Sequence, residues 1–189
     1  MVKKVFLLHG KAQSGKNYCA DIMKALCETK GEKVLTIAFA DWVKDCLRRY
    51  YGVEDYKSEW GRSNITHFAT DICRKNDPDI WARVVATTVK AMESEWDIVL
   101  IPDWRFENEA EVIERYFPNK VVKVLITRPD VNNVDKMTEK QREHQSETEL
   151  DNWENFDYNI LNEYGKLENI YKQLIDMIER EEVSFEKKK

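Results

Sequence analysis

Eight consecutive residues, Gly10-Lys11-Ala12-Gln13-Ser14-Gly15-Lys16-Asn17, have the types and spacing of a loop that holds phosphate. Glycines at both ends of a four-residue gap let backbone N–H groups turn inward on a concave anion site. Lys16 adds a full charge for the β- and γ-phosphates of a nucleotide. A helix running on from Tyr18 adds the positive end of its dipole. Such loops usually close with Ser or Thr, whose hydroxyl binds Mg²⁺. Asn17 stands there instead, and its amide oxygen can meet a hard cation directly or through water. The departure weakens the metal assignment more than the phosphate one. The plainer alternative is a glycine-bearing turn that merely starts a helix. The strand-like run at residues 5–9 ahead of the loop favours nucleoside triphosphate binding.

Transfer of a phosphoryl group asks a protein for positioning and positive charge, with little covalent work. Donor and acceptor together bring several negative charges, so cations must also come from outside the loop. Arg62, Arg74, Arg105 and Arg128 are the candidates, because a planar bidentate donor suits phosphate better than an ammonium. Each also reads as an ordinary surface ion pair. Asp103 lies just past an apolar run at residues 97–101, where a strand-end acid would hold a metal-bound water or substrate. Asn17 and Asp103 are therefore the expected metal pair. Asp41 closes a second apolar run and is expected to face the acceptor. Trp81 reads as core.

The elements that must position these groups follow from apolar periodicity. Strands are expected at residues 5–9, 33–39, 97–101, 121–126 and 156–162, the inner ones apolar throughout, as parallel strands covered on both faces are. Cys19, Ile22, Met23 and Leu26 mark one face of the first helix, which stops at Gly31. Helices fill a long insert at about 41–96, including one over 63–75 and one starting at Asn76-Asp77-Pro78. Strand, helix, strand implies a right-handed crossover. After Thr127-Arg128-Pro129, a polar stretch at about 129–150 with Lys136, Lys140 and Arg142 reads equally as a solvated surface helix or as a mobile lid bringing cations over a triphosphate. A last helix begins at Lys166.

With 189 residues and 42% hydrophobic content, the chain suits one α/β domain over 1–189. A formal net charge of −5 gives no reason to expect a nucleic-acid partner. No apolar run is long enough to cross a bilayer, and Met1-Val2-Lys3-Lys4 leads straight into the first strand, so no signal peptide is expected. Cys19, Cys27, Cys46 and Cys73 lack CxxC spacing and read as free thiols in a reducing cytoplasm. His9, His67 and His144 show no evident partners.

Taken together, several segments resemble the deoxynucleoside monophosphate kinases of phages. They are residues 10–17, Phe39-Ala40-Asp41 with Lys44, Arg62 and Arg74 ahead of Trp81, Asp103-x-Arg105-Phe106-x-Asn108-Glu109, Arg128-Pro129, His144-x-Ser146-Glu147 and Asp157-x-x-Ile160-x-Asn162. The resemblance runs to about residue 175. It implies a P-loop NTPase three-layer fold with a five-stranded parallel sheet in the order 2-3-1-4-5. It also implies ATP- and Mg²⁺-dependent phosphorylation of a deoxynucleoside monophosphate in the host cytoplasm. Residues 10–18, Arg128 and Asn162 would then attend ATP. Asp41, Lys44, Arg62, Arg74, Trp81, Asp103, Arg105, Glu109 and Glu147 would attend the acceptor, with Lys16, Arg105 and Arg128 catalytic. Trp104, at the variable position of the Asp-x-Arg-Phe segment, is expected to bear on substrate choice. A homodimer stays open. Rival readings are a P-loop kinase for dephospho-coenzyme A or phosphomevalonate, and a regulatory nucleotide switch. No Asn-Lys-x-Asp guanine signature is present to support the switch.

Overall fold

The apolar runs form five parallel strands: β1 (Lys4–His9), β2 (Val34–Thr36), β3 (Ile98–Ile101), β4 (Val121–Thr127) and β5 (Tyr158–Leu161). Their order across the sheet is β2-β3-β1-β4-β5, the expected one. The computed structural model describes residues 1–56, 58–129 and 138–181, without the side chains of Lys140 and Gln141. Lys136 and the three terminal lysines fall outside that description, as does the Lys140 side chain. The lid reading of 129–150 is therefore addressed only from Thr138 onward.

Alternation along the inner strands builds a core on each face of the sheet. Val5 and Leu7 of β1 and Val99 and Ile101 of β3 point to one side. They pack against α2 (Phe39–Tyr51), α4 (Ile80–Ala91) and α5 (Glu107–Tyr116). Phe6, Leu8, Ile98 and Leu100 point to the other side, against α1 (Lys16–Thr29) and α8 (Leu167–Arg180). All four residues of β3 are buried, which is why its sequence is apolar without interruption.

The insert departs from expectation at both ends. The second strand stops at Thr36, and Phe39 already belongs to α2. Two carboxylates cause this. Asp103 accepts hydrogen bonds from the Phe39 and Ala40 N–H groups at 2.9 Å each, and Asp41 accepts from Ala38 N at 2.9 Å. Three orphan donors of a helix start are thereby satisfied, so the chain turns helical inside an apolar run that reads as strand. The next helix starts earlier than the periodicity suggests. α3 (Glu59–Thr66) is capped by Ser58 Oγ, which accepts from Gly61 N at 3.1 Å. It then widens without a break into a π-helix, His67–Arg74. Beyond residue 137 lie two short helices, α6 (Glu139–Arg142) and α7 (Gln145–Thr148). Cys19 and Cys27 are buried, Cys46 and Cys73 only half-buried, and all four are free. Among the described residues no helix is long and apolar enough to cross a membrane.

Candidate functional site

The carboxyl ends of β1, β3 and β4 converge on the loop at residues 10–15, where ligands sit in open α/β sheets. Two glycines there are sterically required. A Cβ on Gly10 would lie 2.4 Å from the Ile126 carbonyl oxygen, and one on Gly15, at φ +94°, 2.2 Å from Asn162 Nδ2. Asn162 is buried and donates to the Ser14 carbonyl at 2.8 Å, while its own N–H donates to Thr127 O. It thus ties the loop to the end of β4. Its observed contact is structural, one step behind the ATP role that the resemblance implied.

Lys16 opens α1 and folds over the loop, its ammonium donating to Gly10 O at 2.6 Å and Lys11 O at 3.0 Å. Burial pulls its pKa down to about 7, with Arg105 pushing the same way and Glu147 and Asp103 opposing. A cation this short of solvation gains most when an anion arrives. Asn17 and Tyr18 follow on the exposed side of the first turn. Lys11 reaches across to α7, donating to Glu147 O at 2.7 Å and pairing with Asp151.

Beside the loop a cavity of about 640 Å³ opens between β3, α2, the α3–π-helix run and α7. It gathers Ala12, Gln13, Arg62, Arg74, Trp81, Asp103, Arg105, Glu109 and Glu147, all of them expected site residues. Glu109 organises one wall. Its Oε2 accepts from the N–H groups of Arg105 at 2.9 Å and Phe106 at 3.1 Å, and its Oε1 pairs with Arg74 Nη1 at 3.4 Å. Burial pushes its pKa up to about 7 despite Arg74 beside it. Arg74 also donates to Asn108 Oδ1 at 2.7 Å and lies flat on the Phe106 ring, 3.6 Å from its centroid. Its partners are therefore Glu109 and Asn108, in place of the neighbouring acids Asp71, Asp77 and Asp79 that its sequence surroundings suggest. Arg105 pairs with Glu147 Oε1 at 2.7 Å. Trp81 is buried against the cavity and donates to Ala69 O at 3.2 Å.

Four expectations find their residues elsewhere. Asp41 and Lys44 do not line the cavity; Asp41 caps α2, and Lys44 lies 3.7 Å from it. Arg128 also stands outside, with its guanidinium carbon 5.9 Å from the centre of the Tyr164 ring. Trp104 is fully buried, donates to Phe106 O at 2.7 Å and packs edge-on against Trp153 and Phe156. It cannot touch a substrate. The aromatic ring of this segment that lines the cavity is that of Phe106, two positions on.

Sequence reasoning also missed the histidines. Asp71 on the π-helix accepts from His67 Nδ1 at 3.0 Å and faces His144 Nε2 at 3.7 Å, and all three line the cavity. The hydrogen bond from His67 holds the Asp71 carboxyl below its usual range. The four-residue spacing of His67 and Asp71, and the presence of His144 in a segment that carries the resemblance, were the signals in the sequence. His9 stacks on Phe156 and meets the Trp104 carbonyl at 3.1 Å; burial drops its pKa to about 4, so it is a neutral core residue.

The donor set for a divalent cation is sparse. Among the described residues no cluster of three or more His, Cys, Asp or Glu side chains could hold a metal. Asp103 spends one lone pair of each oxygen on α2, and burial raises its pKa. That inventory suits Mg²⁺, which keeps its waters and rides on substrate phosphates with one or two protein ligands.

The sequence model of the phosphomevalonate kinase family matches residues 8–119, more than half of the chain, from the loop through α5. No curated protein matches it in sequence. Among solved structures it is similar to the APS kinase CysC of Mycobacterium tuberculosis in complex with AMPPNP and APS, at 12% identity and a TM-score of 0.53, covering 94% of this chain and 98% of that one. It is also similar to the shikimate kinase of Bacteroides thetaiotaomicron, at 12% identity and a TM-score of 0.50, covering 95% and 99%. At such identities the likeness establishes the P-loop kinase fold. Loop, cavity and family match agree, and the chain belongs to the phosphomevalonate kinase family.

Proposed function

We propose that this protein transfers the γ-phosphoryl group of ATP to the phosphate of a small phosphorylated acceptor, giving a diphosphate and ADP. The observation that carries the reading is the cavity itself. It opens at Ala12 and Gln13 of the phosphate loop and is lined by three arginines, Arg62, Arg74 and Arg105. A loop that only bound and released a nucleotide would have no use for a second cation-lined site.

The residues divide the work. Backbone N–H groups of residues 10–16 and the Lys16 ammonium hold the β- and γ-phosphates. Arg105 sits between loop and cavity, where it balances the charge that develops on the transferring group once it exchanges Glu147 for phosphate. Arg74, fixed by Glu109, Asn108 and Phe106, holds the acceptor phosphate. Arg128, outside the cavity and beside the Tyr164 ring, would attend ATP. Asn17 and, through water, Asp103 would hold Mg²⁺, which would supply charge neutralisation for the transferring phosphoryl group. Four free cysteines suit a cytoplasmic setting.

Two acceptor classes have specific support. The family match favours phosphomevalonate. The size of the cavity and the rings of Phe39, Trp81 and Phe106 along it favour a nucleoside monophosphate, the acceptor that the resemblance to phage enzymes implies. A coupled ADP-release assay across phosphomevalonate, dephospho-coenzyme A and a set of nucleoside monophosphates tests the reading. Release that depends on one of these acceptors supports it. Slow release that no acceptor accelerates would assign the chain to nucleotide switching instead.

A further inference from the structure

One wall of the cavity is a single helical run with a repeat of four. Arg62, Thr66, Thr70 and Arg74 lie along it from α3 into the π-helix, and all four line the cavity. Helical threonines commonly turn their hydroxyls back onto their own backbone. Thr29 donates to Leu26 O at 2.7 Å in this way, and Thr87 to Arg83 O at 2.7 Å. Thr66 and Thr70 do not. Each is half-buried, and neither hydroxyl has a hydrogen-bond partner among the described residues. A π-helical segment inside an α-helix marks a place where local regularity yields to function. Here it carries Thr70 and Arg74 along the cavity wall.

We propose that Thr66 and Thr70 select the acceptor, by hydrogen bonding to the polar edge of a planar heterocycle of the nucleobase kind. This rests on the cavity being the acceptor site. Between the two arginines the wall presents the Thr66 and Thr70 hydroxyls beside the His67–Asp71 pair, and a hydroxyl both donates and accepts, as the mixed edge of a base requires. Rings at Trp81 and Phe106 provide apolar surface for a flat partner. A hydroxyl aimed at a base edge rejects a mismatched base because one polar group is then left unpaired.

Equilibrium titration by isothermal calorimetry separates this inference from the catalytic reading. Four deoxynucleoside monophosphates and phosphomevalonate are titrated without ATP into wild type, Thr66→Val, Thr70→Val and the corresponding Ser variants. Wild type is expected to bind one base preferentially, each Val variant to compress that preference by about tenfold, and the Ser variants to restore it. Valine fills the same space and removes no internal hydrogen bond, so folding is expected to hold, and a circular dichroism spectrum checks it. An unchanged base ranking in both Val variants would overturn the inference, as would wild-type binding of phosphomevalonate alone. Base-selective binding without ADP release would leave the inference standing and remove the kinase reading.

Discussion

Burial draws the Lys16 pKa down to about 7, so an arriving polyphosphate is expected to restore its charge. With a pKa near 7 in the unliganded protein, it is mostly neutral at about pH 8.5 and regains its proton when a polyphosphate replaces the Gly10 and Lys11 carbonyls. Calorimetry of ATP binding in buffers of different ionisation enthalpy should therefore show proton uptake at that pH and little at about pH 6. Lys16→Met should abolish the uptake and lower turnover by orders of magnitude in a folded protein. Uptake that survives the substitution would assign the proton elsewhere. Arg74 supports a second expectation. It gains its geometry from a carboxylate, an amide and a ring at once, which an ammonium cannot reproduce. Arg74→Lys keeps the charge opposite Glu109 and should raise the Michaelis constant for the acceptor by about tenfold, with that for ATP little changed. Equal rises for both substrates would place Arg74 in the scaffold.

At the scale of elements, the carboxyl end of β3 and the start of α2 are joined by Asp103. Removing one oxygen acceptor in Asp103→Asn should lower the melting temperature, since a lost helix cap costs about 1 kcal/mol. It should also raise the Mg²⁺ concentration for half-maximal rate, while Asn17→Ser should lower it by supplying a hydroxyl. A lowered melting temperature with Mg²⁺ dependence unchanged in both variants would leave Asp103 a cap alone. This element also shows where the sequence could be read and where it could not. Strands β1 and β3 are apolar because helices cover them on both sides, and that pattern is local. The start of α2 is set by Asp103, 64 residues away from Phe39, so an apolar run around it reads as strand. The π-helix is equally hidden. Ile65, Phe68, Ala69 and Ile72 show helical spacing, but nothing in it reveals a wider turn after Thr66. Past the end of β3 the side-chain alternation no longer applies, so the inward turn of Trp104 and the outward turn of Phe106 could not be told apart.

Across the whole molecule, the strands and the phosphate loop were legible in apolar pattern and motif, while the strand order came from the family resemblance. The cavity's chemistry was only half legible. Arg62, Arg74, Arg105, Glu109 and Glu147 could be picked out as charges, whereas their pairings run between elements that only the fold brings together. Glu147 meets Arg105 across 42 positions, and Glu109 meets Arg74 across 35. On the proposed function, these charges serve transfer of a phosphoryl group from ATP to a phosphate already on the acceptor. Phosphorus NMR of a reaction mixture containing ATP, Mg²⁺ and the preferred acceptor tests that claim most directly. A new diphosphate signal from the acceptor is expected, growing in step with ADP and lost in Lys16→Met. Inorganic phosphate appearing in step with ADP, with the acceptor signal unchanged, would contradict it.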